Sequence, residues 1–193
     1  PIYRGHRLSE EGVVVVAPNY RLGPLGFLAL PALAEEDPRA VGNYGLLDVL
    51  EALRFVRDYI RYFGGDPKNV TLFGESAGGM LVCTLIVQSG GCGYVRPLKE
   101  DLALGEAWAK ARGCDPKDLA CLRALPLERL LPEEPGLEAM GRFLSNPSLF
   151  RTGPFKPHLS PFLLPQDPRE ALREGKAAGI PLIAGANAEE VAF

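Results

Sequence analysis

Ser76 stands at the centre of Gly74-Glu75-Ser76-Ala77-Gly78, after the apolar run Val70-Thr71-Leu72-Phe73 and before Gly79-Met80-Leu81-Val82-Cys83. A serine framed by glycines where a strand turns into a helix has the layout of a nucleophile elbow. The glycines leave room for a sharp, strained turn that lifts the hydroxyl clear of its surroundings, and the following helix points its unpaired N–H groups back at it. The chemistry this permits is attack by Ser76 Oγ on an electrophilic carbon, with the backbone N–H of Ala77 meeting the developing oxyanion. In a chain with 22 glycines the bare pattern means little. Its place between a strand candidate and a helix candidate is what gives it weight.

An elbow needs elements to hold it. Val13 to Ala17 form a short continuous apolar run, as in a central strand covered on both faces. A loop rich in turn residues, Pro18 to Phe27, follows. From Leu46 to Phe63 apolar positions recur at three- and four-residue intervals, which predicts an amphipathic helix ended by Gly64-Gly65-Asp66-Pro67. Strand, helix and strand in that order imply a right-handed parallel crossover and hence an α/β fold. Ile86 to Ser89 read as a further strand but follow Leu85 directly, with no room for a crossover. We expect a missing segment near 85/86, with the Cα atoms of Leu85 and Ile86 further apart than the ~3.8 Å of a trans peptide. Helical patterns recur over Asp101 to Arg112, Pro116 to Leu131 and Pro168 to Gly175, and Ile180 to Gly185 read as a short buried strand opened by a proline. Residues 94–167 as a whole read as a cap-like excursion from a single domain spanning 1–193.

Composition narrows the function classes. The chain has 193 residues, 47% of them hydrophobic and 23% charged, enough for one domain with a core. A net charge of −3 and the lack of a basic block argue against nucleic-acid partners. No apolar stretch reaches membrane-span length, and the start Pro1-Ile2-Tyr3 resembles neither an initiator nor a signal peptide, so we expect the native N-terminus to lie elsewhere. The two histidines and four cysteines have no metal-site spacing, so no metal is expected. Cys114 and Cys121 are close enough in sequence to close a small disulfide ring and equally compatible with two reduced thiols. Cys83 is read as a core residue and Cys92 as a loop thiol.

Several blocks together resemble the type B carboxylesterases and cholinesterase-like α/β hydrolases. Asn19-Tyr20-Arg21-Leu22-Gly23-Pro24-Leu25-Gly26-Phe27 and Gly42-Asn43-Tyr44-Gly45-Leu46-Leu47-Asp48 are similar to two of their segments, and Phe63 to Gly78 resembles their signature along its whole length. Gln88-Ser89-Gly90 and Gly185-Ala186-Asn187-Ala188-Glu189-Glu190 resemble the strand end after the elbow and the acid-bearing turn. The resemblance implies an α/β-hydrolase fold with Ser76 as nucleophile and Glu190 as the triad carboxylate, Glu189 being its competitor. It implies a structural ion pair between Arg21 and Asp48, and favours a Cys114–Cys121 disulfide, which in turn leans localisation toward secretion over cytoplasm. Glu75 is read as a local electrostatic residue. The substrate implied is a small carboxylic ester, with no cofactor; oligomeric state stays open.

A serine nucleophile needs a base, and in α/β hydrolases the histidine follows the acid. Only Val191-Ala192-Phe193 follow Glu190. His6 is read as a surface residue near a terminus and His158 as a loop histidine, neither as the base. The catalytic His and the H-G-G-G oxyanion loop are therefore absent from these 193 residues, and the chain by itself is expected to be inactive. The alternatives are a cholinesterase-like adhesion or scaffold domain that has lost catalysis, or a truncated product; retention of both Ser76 and Glu190 speaks against the first.

Overall fold

The computed structural model describes residues 5–85, 95–131 and 155–181. Its elements are helical: α1 (His6–Glu10), α2 (Gly23–Phe27), α3 (Pro31–Glu36), α4 (Tyr44–Tyr59) continued by a 3₁₀ turn (Ile60–Phe63), α5 (Ala77–Leu85), α6 (Leu98–Ala111), α7 (Leu119–Ala124), α8 (Leu127–Leu130) and α9 (Pro168–Arg173). The long helix read from Leu46 to Phe63 is α4 and its 3₁₀ continuation, closed by Gly64 in the left-handed region at φ 82°. Three departures from the sequence reading have local causes. The Pro18 to Phe27 loop contains a helical turn, α2, with Pro24 in its first turn, where a missing N–H costs nothing. The helix read over Pro116 to Leu131 is two short ones. Pro126 forces Leu125 out of helical geometry, to ψ 136°. Where strands were read at 13–17 and 70–73 the backbone carries no ladder, and Val13, Val16, Val70 and Phe73 are exposed. Among the described residues, pairing is limited to two isolated bridges, Arg96 with His158 and Ser160 with Leu164. The readings at 86–89 and at the 85/86 junction, and the 182–185 part of the last strand, lie outside the described residues.

Two apolar clusters hold these helices. Phe27, Leu46, Val49 and Leu81 join α2, α4 and α5, while Leu28, Leu30, Ala109, Cys114 and Leu122 join the segment after α2 to α6 and α7. Phe155 packs against both. Gly105 lets α6 lie directly on the chain at Ala29, because a Cβ there would fall 1.9 Å from the Ala29 carbonyl oxygen. A disulfide joins Cys114 to Cys121 across the α6–α7 connection, with Cα atoms 5.8 Å apart. Cys83, read as a plain core residue, is buried and also disulfide-bonded.

His158, read as a loop histidine, lies outside the helices in an isolated bridge and is buried. Its side chain is fully buried, with Nδ1 3.3 Å from Asp101 Oδ2, and Asp101 is in turn paired with Arg96. The buried Asn43 side chain fixes this region to the N-terminal half by two reciprocal bonds. Its Nδ2 donates to the His158 carbonyl at 2.9 Å, and its Oδ1 accepts from the His158 N–H at 3.1 Å. Asn43→Ala leaves both backbone groups buried without partners, so urea unfolding at neutral pH is expected to show a loss of about 2–4 kcal/mol.

Candidate functional site

Ser76 sits at φ +51°, one of two non-glycine residues among those described with a left-handed backbone. That conformation costs an L-residue about 1–2 kcal/mol, so its surroundings must impose it. The turn is closed by the Gly78 N–H donating to the Glu75 carbonyl at 2.9 Å, and the Met80 N–H donating to the Ser76 carbonyl at 3.0 Å starts α5. Gly74 is required by contact: a Cβ there would come within 2.5 Å of the Gly78 carbonyl carbon and oxygen. Gly78 faces open space, so no contact requires a glycine there. Ser76 and Ala77 are exposed, and Ala77 is the first residue of α5, where helical N–H groups lack helical acceptors.

The exposed turn is carried by a buried helix. Leu81, Val82 and Cys83 of α5 are each 4% exposed, and Leu81 packs with Phe27, Leu46 and Val49. The same helix α4 carries Asp48, which takes Arg21 in a bidentate pair: Nη2 to Oδ1 at 2.7 Å and Nε to Oδ2 at 2.9 Å. The Arg21 backbone N–H also donates to Oδ2 at 2.9 Å. At its other end the Arg21 carbonyl is wedged against α2 and α4, because a Cβ on Gly26 would lie 2.1 Å from its oxygen and one on Gly45 2.5 Å. Arg21 thus clamps the residues before α2 onto α4 with both its backbone and its side chain. The guanidinium also lies 5.4 Å from the Tyr44 ring centroid, over its face. Hydrogen bonds from Arg21 hold the Asp48 carboxyl below its ordinary range and, reciprocally, raise the Arg21 guanidinium.

Of the sequence-derived site residues, Ser76 and Ala77 lie together at the elbow, Arg21 and Asp48 are in contact, and Cys114 and Cys121 are bonded. Glu190 and Glu189 lie outside the described residues. His158 is sealed beneath Asn43 and Asp101 and is not available to the serine. Asn43 escaped the sequence reading although it lies within a quoted block; its signal was a polar residue immediately before the apolar stripe of α4. Among the described residues no group of His, Cys, Asp and Glu could hold a metal ion.

Two outcomes follow from this geometry. Glycine at position 76 adopts the left-handed turn without strain, so Ser76→Gly should be more stable to urea than Ser76→Ala by about 1 kcal/mol, whereas Gly74→Ala should destabilise. Asp48 has a depressed folded pKa, so its contribution is present above its ordinary value of 3.8 and lost as pH falls through the lowered one. The pair is partly open, with side chains 52% and 25% exposed, so its worth is about 1 kcal/mol. Asp48→Asn is therefore expected to lower stability by that amount at pH 7, with the gap to wild type closing as the pH falls below 3.8 and through the lowered pKa in the same unfolding assay.

Comparison with known proteins places the chain. A family model described as the carboxylesterase family matches residues 1–193. The chain is 36% identical over 203 residues to the para-nitrobenzyl esterase of Bacillus subtilis (strain 168), covering 98% of this chain and 40% of that protein. It is 39% identical over 202 residues to the fumonisin B1 esterase of Sphingopyxis macrogoltabida, covering 98% and 36%. The structure of the Geobacillus stearothermophilus carboxylesterase EST55 superposes with a TM-score of 0.76 at 34% identity, over 95% of this chain and 40% of that one. The chain thus spans about 40% of the length of these relatives, which share the α/β-hydrolase class. With the whole of its length matched, the chain belongs to the carboxylesterase family.

Proposed function

We propose that this chain supplies the nucleophile and the acid of a serine carboxylic-ester hydrolase. The observation that carries the proposal is the left-handed backbone of the exposed Ser76 at the mouth of a buried helix. A strained serine held on an otherwise well-packed element is hard to account for unless its hydroxyl is used. The names of the related esterases support a carboxylic ester as substrate.

In this reading Ser76 Oγ attacks the ester carbonyl and forms an acyl-enzyme as the alcohol leaves; water then releases the acid. The Ala77 N–H stabilises the tetrahedral oxyanion, aided by the N-terminal end of α5. Glu190 orients the imidazole that deprotonates Ser76. That imidazole, like the remaining oxyanion donors, comes from residues other than these 193, since neither His6 nor the buried His158 suits the role. Segments 13–17 and 70–73, bridged by α4, form central parallel strands when the neighbouring strands of the sheet are present. Residues 1–193 make up part of one such domain, with 94–167 an excursion from it and a segment lacking near 85/86. No cofactor enters the reaction.

The 193-residue chain is expected to hydrolyse p-nitrophenyl acetate no faster than its Ser76→Ala variant. In the full-length protein carrying this chain, a fluorophosphonate should label Ser76, located by peptide mass spectrometry, and Glu190→Gln should lower kcat by about 10⁴-fold. Failure of Ser76 to label in a folded full-length protein would favour the adhesion or scaffold alternative.

A further inference from the structure

A cavity of about 350 Å³ opens between α2, α3, α6 and α7, within the size range of small-ligand sites. None of the elbow residues 74–78 lines it. Its walls are mainly leucine, including Leu28, Leu33 and Leu122, with Trp108. Trp108 already has the Arg112 guanidinium 4.0 Å from its ring centroid and meets Phe155 edge to face at 5.8 Å, so its ring is largely committed to the protein. Walls of this kind suit a flexible aliphatic chain better than a stacking ring.

Two guanidinium groups stand at the cavity wall. Arg21, Arg123 and Glu36 line it, whereas Asp48, the partner of Arg21, does not. Arg123 and Glu36 make a bidentate pair at 2.7 and 2.8 Å, so each guanidinium of the lining already holds one carboxylate. Both guanidinium groups remain open to water, their side chains 52% and 62% exposed, so each has an accessible face for a second carboxylate. Tyr44 adds a hydroxyl at the same wall, and burial raises its pKa so that it stays protonated as a donor.

We propose that this cavity binds a medium-chain aliphatic monocarboxylate, its tail among the leucines and its head group at Arg123 and Arg21. The site is separate from Ser76 and does not depend on ester hydrolysis. Trp108 is the single tryptophan of the chain, so its fluorescence reports binding. Titration with decanoate at low salt, below its micellar concentration, is expected to give a saturable change. Arg123→Gln should weaken decanoate by about fivefold, and Glu36→Gln, which removes the competing carboxylate, should tighten it. Decanol should respond to neither substitution, and Ser76→Ala should bind decanoate as wild type does. If the Arg123–Glu36 pair serves only to tether α3 to α7, both variants will shift decanoate in the same direction, and the proposal fails. It fails equally if decanol binds as tightly as decanoate, if no saturable change occurs, or if Ser76→Ala abolishes binding.

Discussion

Arg21 is the residue on which the rest of the arrangement turns. Its guanidinium and its backbone N–H both engage Asp48, while its carbonyl fits into the gap that Gly26 and Gly45 leave by having no side chains. Packing at such contacts is unforgiving, since even one added methyl group would have to displace backbone. The ion pair itself is partly solvated and energetically modest. What it contributes is register: it fixes where α2 meets α4, and Phe27, Leu46 and Val49 then present one surface to Leu81 of α5. The position of Ser76 is therefore set by contacts some fifty residues earlier in the chain.

The sequence exposed this clamp because its parts are chemically unusual, an arginine and an aspartate embedded in glycine-punctuated apolar blocks. Helix α4 was equally readable, because a 3.6-residue period over four turns admits few other structures. Single turns such as α2 and α3 were not, being too short to show a period. The strands were inferred from composition, but a ladder is a property of pairs of segments, and no partner lies beside 13–17 or 70–73 among the described residues. The burial of His158 was illegible for a related reason. It depends on Asn43, 115 positions away, and on Asp101, neither of which any local pattern connects to it. The elbow could be recognised from five residues, whereas its acid is an assignment by resemblance alone.

Two costs are stored outside the elbow. Phe155 also has a left-handed backbone, at φ 61°, which for a bulky residue is unfavourable by itself. It is offset by a ring that touches both apolar clusters and meets Trp108 edge to face, so one strained residue joins the two halves of the core. The cluster of Arg96, Asp101 and His158 is the second. Buried charges add little net stability even when paired, but removing one member strands the others, which makes the cluster an all-or-none fastening for the 155–164 stretch.

The solvent-facing Val13, Val14 and Val16, together with Val70 and Phe73, bear on how the molecule behaves in solution. A β-prone, little-charged run without a ladder is a template for edge-to-edge association. A net charge of only −3 offers weak colloidal repulsion against it. Solubility is thus coupled to the elbow: the run that leads into Ser76 is also a surface apt to self-associate whenever it is left uncovered.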